Sequence, residues 1–359
     1  MQVWQIAAGE RGRYYDELFT AHDVMFMGPG QYGHAVAQAG GYSAAIQSGL
    51  ESASKVGMIQ ALATSAAAGD IVLLRKGYAV EAVGLVANEP YMWDPCFDDV
   101  YGWNLQHVRR VIWQDQLRPQ LAALQVKGGL FGARKQIPTF TRVEDAAVLG
   151  PLKDLLGSCK PRALNALPAV STPLTLDEFA TMLFAKGLPN RAVDDVVRAV
   201  TKQRRLDAWY ESLPANSGRP TEHEVVAHLI LPLLLALGWS EQLLAVEWQK
   251  IDLAGFLSAP TGIANCVLVC EAKRRGTGMQ DDLDQAVGYV NDLRLDACRR
   301  ILLTEGTRFY VYRRNTDSSW PDNPSGYVNF AKPRTHNVLP AGTNAIDTIL
   351  ALTPTNALR

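Results

Sequence analysis

Between Thr221 and Tyr312 the hydrophobic pattern changes period, and the rest of the chain can be placed around that stretch. Val225, Val226, Leu229 and Leu233 recur at helical spacing, so a helix is predicted from Thr221 to about Trp239, with Glu222 on the same apolar stripe. Glu224 falls off that stripe and is expected to face solvent. Val246 to Phe256 reads as a strand carrying Asp252. Val267 to Cys270 is apolar at consecutive positions, as in a strand covered on both faces, and ends in Glu271-Ala272-Lys273. A helix carrying Gln285 and Tyr289 comes next, then a hairpin of Ile301–Glu305 and Arg308–Tyr312.

Successive strand residues face opposite ways, so Glu271 and Lys273 share a face. Turn residues at Ser258 to Gly262 allow the Asp252 and Glu271 strands to be antiparallel neighbours, with both carboxylates at one end. Close carboxylates repel, and a hard divalent cation relieves the repulsion; Mg²⁺ commonly takes one or two protein carboxylates plus phosphate oxygens. A lysine beside it can orient a water or stabilise added negative charge. Taken singly, an aspartate at a strand edge is usually solvated, and Glu-x-Lys is usually a surface ion pair. Five elements in this order are a stronger signal.

The series Thr-Glu-His-Glu (221–224), Leu-Pro-Leu-Leu-Leu-Ala-Leu-Gly-Trp (231–239), Ile-Asp-Leu (251–253), Val-Cys-Glu-Ala-Lys-Arg (269–274), Gln-Ala-Val-Gly-Tyr (285–289) and Leu-Leu-Thr-Glu-Gly-Thr-Arg-Phe-Tyr-Val-Tyr (302–312) resembles the PD-(D/E)xK restriction-endonuclease-like nucleases. It is most similar to the nuclease domain of type I restriction R subunits. The resemblance implies a Mg²⁺-dependent nuclease (Mn²⁺ as substitute) with Asp252 and Glu271 as metal ligands and Lys273 as catalytic lysine. Glu222 and Gln285 complete the implied catalytic set, with Tyr289 supporting Gln285. Ile251 stands where the motif's name has proline.

The first 145 residues read as mixed and strand-rich. Strands are expected at Val3–Ile6, Ile71–Lys76, Val80–Asn88, Val108–Trp113 and Gln136–Arg142, with helical sequence at Arg13–Thr20 and Tyr42–Ala68 and a Gly/Pro loop from Gly28 to Gly33. The early Trp4 strand, the Gly-Asp-Ile-Val-Leu-Leu step (69–74) and Ala-Val-Gly-Leu-Val (82–86) resemble the PUA-like superfamily, especially EVE-type domains. That resemblance implies a pseudo-barrel holding a modified or flipped base in an aromatic pocket. Flipping costs a few kcal/mol that stacking and edge hydrogen bonds offset. Trp4, Trp93, Trp103 and Tyr32 are the expected base-binding residues, with Asp94, Asp98 and Asp99 as acceptors, although most tryptophans of a small barrel belong to its core.

From Ala146 to Gly218 the chain is proline-punctuated and helical, with Thr175 a helix cap and a second helix from Asn190 to about Tyr210. The organisation expected is therefore α/β (α+β) in three parts: a PUA-like β-barrel domain over 1–145, a helical connector over 146–218, and a restriction-endonuclease-like mixed sheet over 219–359. At 359 residues two globular domains are likelier than one. A net charge of −1 argues against a non-specific nucleic-acid coat, leaving local basic clusters at Arg109-Arg110, Lys202–Arg205, Lys273–Arg275, Arg299-Arg300 and Arg313-Arg314. No apolar run approaches the roughly 20 residues that span a bilayer. Five scattered cysteines and no basic-then-apolar start point to a reducing cytoplasm; Cys266 and Cys270 read as core.

The function expected is a modification-dependent DNA endonuclease, with a homodimer needed for double-strand cleavage. The alternative is a defence effector whose nuclease is gated by a small ligand or RNA.

Overall fold

A computed structural model of the chain describes residues 1–10, 13–35, 39–124, 129–132, 137–169, 171–213, 217–274, 282–339 and 343–357. Expected features at Gln136, Asn216 and Arg275 lie outside the described residues. The chain is mixed α/β and divides into two compact units, Met1–Ala169 and Val170–Arg359.

The first unit contains strands β1 (Val3–Ala7), β2 (Gly9–Glu10), β3 (Arg13–Tyr14), β4 (Val24–Met27), β5 (Ile71–Lys76), β6 (Ala79–Val86), β7 (Met92–Trp93), β8 (His107–Trp113) and β9 (Phe140–Arg142). Its helices are α1 (Asp16–Ala21), α2 (Ala39–Gln47), α3 (Ala53–Thr64), α4 (Arg118–Leu124) and α5 (Ala146–Leu156). A curled half-barrel sheet runs β4-β8-β6-β5-β1-β9, with β7 pairing β8. Only β1 and β5 pair in parallel within it. The alanine-rich stretch is broken into α2 and α3, and Ser52 caps α3 by accepting from Lys55 N. At Gly84, inside β6, an added Cβ would lie 2.5 Å from Val111 Cγ1 and 2.8 Å from Trp113 Cε3, so the strand crossing admits no side chain there.

The expected connector is not a unit of its own. Val148 and Leu152 of α5 belong to the first unit's core with Ile71, Leu73 and Val83. The extended segment after α5 is strapped to the same unit. Arg162 forms a two-pronged pair with fully buried Asp23 at 2.6 and 2.7 Å, Asn165 N donates to Asp23 Oδ2, and Lys160 N donates to Gln114 Oε1.

Helices α6 (Leu176–Ala185) and α7 (Asn190–Ser212) instead pack into the second unit, where Phe179, Leu183, Val196 and Val200 join the core under its sheet. Thr175 caps α6 in a capping box with Glu178. Arg204, in the basic cluster Lys202–Arg205, donates from Nε to Phe330 O at 2.6 Å. The predicted Thr221–Trp239 helix is one helical run in three parts: α8 (Glu222–Val225), a π-helical turn (Val226–Ile230) and α9 (Leu231–Ala236). Pro232 has no N–H to continue the ladder, and within the distorted turn the Leu229 carbonyl accepts from buried Gln203 Nε2 at 2.6 Å.

The single strand expected over Val246–Phe256 is a tight hairpin, β10 (Leu244–Trp248) and β11 (Ile251–Phe256), with positive φ at Glu247, Gln249 and Lys250. The alternating pattern carries no mark of such a turn because none of these residues is glycine. Then come β12 (Cys266–Ala272), α10 (Asp282–Asp292), β13 (Arg300–Thr304), β14 (Arg308–Arg313), β15 (Gly326–Asn329), α11 (Ala345–Ala351) and α12 (Pro354–Ala357). The sheet order is β10-β11-β12-β13-β14-β15, with β12 and β13 parallel and the other neighbours antiparallel. Cys266 and Cys270 are buried in central β12, as core residues.

Candidate functional site

In the second unit, β11 and β12 run antiparallel with Leu253 opposite Cys270, which sets Asp252 across from Glu271 at the strand ends. Asp252 Oδ2 accepts from Ala272 N at 2.7 Å, so the backbone of one strand fixes the acid of the other. Glu271 is 3 % exposed. Its Oε1 accepts from Lys273 Nζ and from Gln285 Nε2, both at 2.6 Å. Gln285 Nε2 also donates to Tyr289 Oη at 2.8 Å, one turn along α10, and Lys273 Nζ lies 3.4 Å from Gln285 Oε1. The Asp252, Glu271, Lys273 and Gln285 predicted from sequence are thus brought together. Asp282, at the start of α10 with Oδ1 3.7 Å from Lys273 Nζ, joins them and carries no sequence signal beyond its charge.

Burial pushes the Glu271 carboxyl up to about 7, Lys273 pulls it down, and the charge of Asp252 raises it. Burial also raises Asp252, with the charge of Glu222 adding to it. Lys273 would be lowered by its own burial, but its bond to Glu271 and the charges of Glu271, Asp282 and Glu222 hold it above the ordinary value. Glu222 acts on the pair through its charge from the first turn of α8, on the stripe that buries Val225, Val226 and Leu229. Glu224 is engaged elsewhere: it pairs with Arg219 and closes the capping box with Thr221, and these bonds hold its carboxyl down at about 2.

The donor set fits one hard cation. Glu271 Oε2 is buried without a hydrogen-bond partner, beside a second carboxylate whose charge opposes its ionisation. Among the described residues no group of three or more His, Cys, Asp or Glu side chains is placed to hold a metal, so protein oxygens from Asp252 and Glu271 would be completed by water or phosphate, as is common for Mg²⁺.

In the first unit the expected aromatic residues separate. Trp4 is a core residue: 5 % exposed, stacked on Phe140 at 5.0 Å, its Nε1 donating to Asp70 Oδ2. It is not available to a base. Trp93 is half-buried and donates from Nε1 to Gly30 O at 2.8 Å. Tyr32 is half-buried and edge-on to Tyr42 at 5.5 Å. Trp103 is half-buried in the Val100–Trp103 turn, next to Asn104, whose carbonyl accepts from Gly30 N. Tyr32 therefore lies within the Gly28–Gly33 loop, and Trp93 and Trp103 border it. Asp94 and Asp99 serve local turns, accepting from Cys96 N and Gly102 N.

Beneath that loop sits His107, fully buried on β8. Its Nε2 faces Pro29 O at 2.9 Å and the Tyr42 hydroxyl, and its Nδ1 faces Tyr91 Oη at 2.6 Å. A neutral ring protonated on Nε2 is compatible with all three: Nε2–H is shared between Pro29 O and the Tyr42 oxygen, whose own hydrogen goes to Gly33 O, and Nδ1 accepts from Tyr91. Burial drives the His107 pKa down to about 4. Tyr42 and His107 were not legible as site residues, since their meeting depends on α2 packing over β8.

Among the described residues no helix is long and apolar enough to cross a membrane. No protein-family model, curated protein or solved structure matches this chain.

Proposed function

We propose that the second unit is a metal-dependent deoxyribonuclease of PD-(D/E)xK type and the first a PUA-like reader of a modified base, together a modification-dependent restriction endonuclease. The observation that carries the reading is the convergence of Asp252, Glu271 and Lys273 at adjoining strand ends, with Gln285 bonded to Glu271. Asp252 and Glu271 would hold a Mg²⁺ (or Mn²⁺), which when bound acidifies a water and neutralises charge on the scissile phosphate. Lys273 orients the attacking water and stabilises negative charge gathering on the phosphate. Gln285 fixes Glu271 and the lysine against each other. Glu222 adds negative charge that is felt by Asp252 and Lys273.

The reader role is supported by the half-exposed rings of Tyr32, Tyr91, Trp93 and Trp103 around the Gly28–Gly33 loop, surfaces on which a base turned out of its duplex can stack. A homodimer would supply the second strand's cut, and five unpaired cysteines agree with a cytoplasmic setting. The test is cleavage, with Mg²⁺, of matched duplexes carrying cytosine, 5-methylcytosine or 5-hydroxymethylcytosine, with Lys273→Ala as blank. Cutting confined to a modified duplex is the expected result; equal cutting of all three removes the reader role, and cutting undiminished in Lys273→Ala removes the nuclease assignment. The second reading, a nuclease gated by a small ligand, is favoured by one buried arginine of the first unit.

A further inference from the structure

That arginine is Arg109. It is 8 % exposed on β8, and in a regular strand it shares a face with His107 two positions before it. Among the described residues no carboxylate lies in ion-pair reach of its guanidinium, and its Nε is buried without a hydrogen-bond partner. The charge it does feel is that of Asp70, whose oxygens are already engaged by Gln2 N at 2.7 Å and by Trp4 Nε1 and Ala67 N at 3.0 Å.

The same sheet bonds its other buried arginines. Arg75 donates to Gln5 Oε1 and Gly77 O, and Arg110 donates to Asp23 O and Asn165 O. An uncompensated buried cation is strongly unfavourable, and Arg109 stands apart in carrying that cost.

The surroundings say what would offset it. His107 pairs across the sheet with Trp93, so positions 93 and 109 share a face, their backbones roughly 7 Å apart along the strand. Tyr91 stacks on His107 at 6.0 Å. Gln106, 3 % exposed, has a buried Oε1 without a partner against the Gly30 backbone. Rings for a base and a fork of donors for an anion thus share one face, with the Gln106 acceptor at the neighbouring position beside the Gly30 backbone. The planar guanidinium matches a phosphate in two bonds.

We infer that this face of β8 is the floor of a site for a single nucleotide, its base against Trp93 and Tyr91 and its phosphate on Arg109. The shared chemistry is one base with its own phosphate, whether free or turned out of a strand. The inference rests on the reader role proposed for the first unit and deepens it with a phosphate anchor; its readout is binding rather than cleavage, so its failure is told apart from that of the cleavage test.

The experiment is calorimetric titration of the full chain in EDTA with deoxycytidine, deoxycytidine monophosphate, inorganic phosphate, and a duplex bearing one unpaired, extrudable cytosine. Wild type is expected to prefer the monophosphate to the nucleoside by about tenfold or more, with inorganic phosphate competing. Arg109→Met is expected to erase that preference while melting no lower than wild type, since it removes an uncompensated charge. Loss of duplex binding with the free nucleotide unaffected assigns the site to an extruded nucleotide; the converse assigns it to a free one. Equal affinity of wild type for nucleoside and monophosphate overturns the inference, a result that needs no variant to fold. So does unchanged binding of both nucleotide and duplex by Arg109→Met.

Discussion

Gln285 Nε2 and Lys273 Nζ meet on one oxygen, Glu271 Oε1, each at 2.6 Å. The helix that carries Gln285 is thereby locked to the strand that carries the acid, and Glu271 keeps its other oxygen buried and unbonded. Gln285→Ala should release both Glu271 and Lys273 from this arrangement. Side chains that orient a metal ligand commonly affect activity by about 10–100-fold, and a loss in that range is expected in kcat. Gln285 itself is exposed, so the melting temperature should stay within about 2 °C. A loss of folding rather than of rate would show that the contact is structural.

Burial raises both carboxyls, and the charge of Asp252 raises Glu271 further, so the two are costly together without a cation. Added Mg²⁺ should therefore raise the melting temperature of wild type in proportion to the logarithm of its concentration. Glu271→Gln should melt higher than wild type in EDTA, respond little to Mg²⁺, and show no cleavage. Differential scanning fluorimetry across a Mg²⁺ series checks all but the last. A stabilisation by Mg²⁺ that survives both Glu271→Gln and Asp252→Asn would place the ion elsewhere.

The second unit was the more legible one because its chemistry lies on regular elements. Strand alternation alone puts Glu271 and Lys273 on one face, and helical spacing aims Glu222 with Val225 and Leu229 toward the sheet. What escaped was conformational: three non-glycine residues with positive φ turn the Val246–Phe256 segment into the β10–β11 hairpin. In the first unit aromatic residues were visible but not their surroundings. Trp4 pairs with Asp70, 66 positions away, and stacks on Phe140, and local sequence carries no trace of either contact. His107 lies in a strand legible in the sequence, yet its role depends on Tyr42 of α2 and on Pro29 of the Gly28–Gly33 loop, which meet its ring.

The strap after α5 hangs on Asp23, which is wholly buried and holds Arg162 and the Asn165 amide. Asp23→Ala should remove these charge-assisted bonds at a cost of about 2 kcal/mol, given that Arg162 itself is partly exposed. The freed segment from Gly157 to Ala169 should become the first site of limited proteolysis. Native-state digestion followed by mass spectrometry reads this directly, and an unchanged cleavage map would mean that Gln114 and Arg110 hold the strap without Asp23.

His107 makes the first unit sensitive to acid. Burial lowers its folded pKa to about 4, below the ordinary value near 6.5. Between these values the unfolded chain binds a proton that the folded chain refuses, so stability falls as pH falls through that window and levels off below about 4. The full span corresponds to about 3 kcal/mol. The structure supplies the reason: a doubly protonated ring could no longer accept from Tyr91 at Nδ1, and among the described residues no carboxylate hydrogen-bonds it to balance the charge. Other groups titrate in the same range, so the informative quantity is the difference between wild type and His107→Gln in urea unfolding. The glutamine variant should be less stable at pH 7, where wild type keeps its bonds to Pro29 and Tyr91, and the gap should close or invert by pH 4.5. A gap that stays constant from pH 7 to 4.5 would mean that the ring is protonated in the folded state and has another counter-charge.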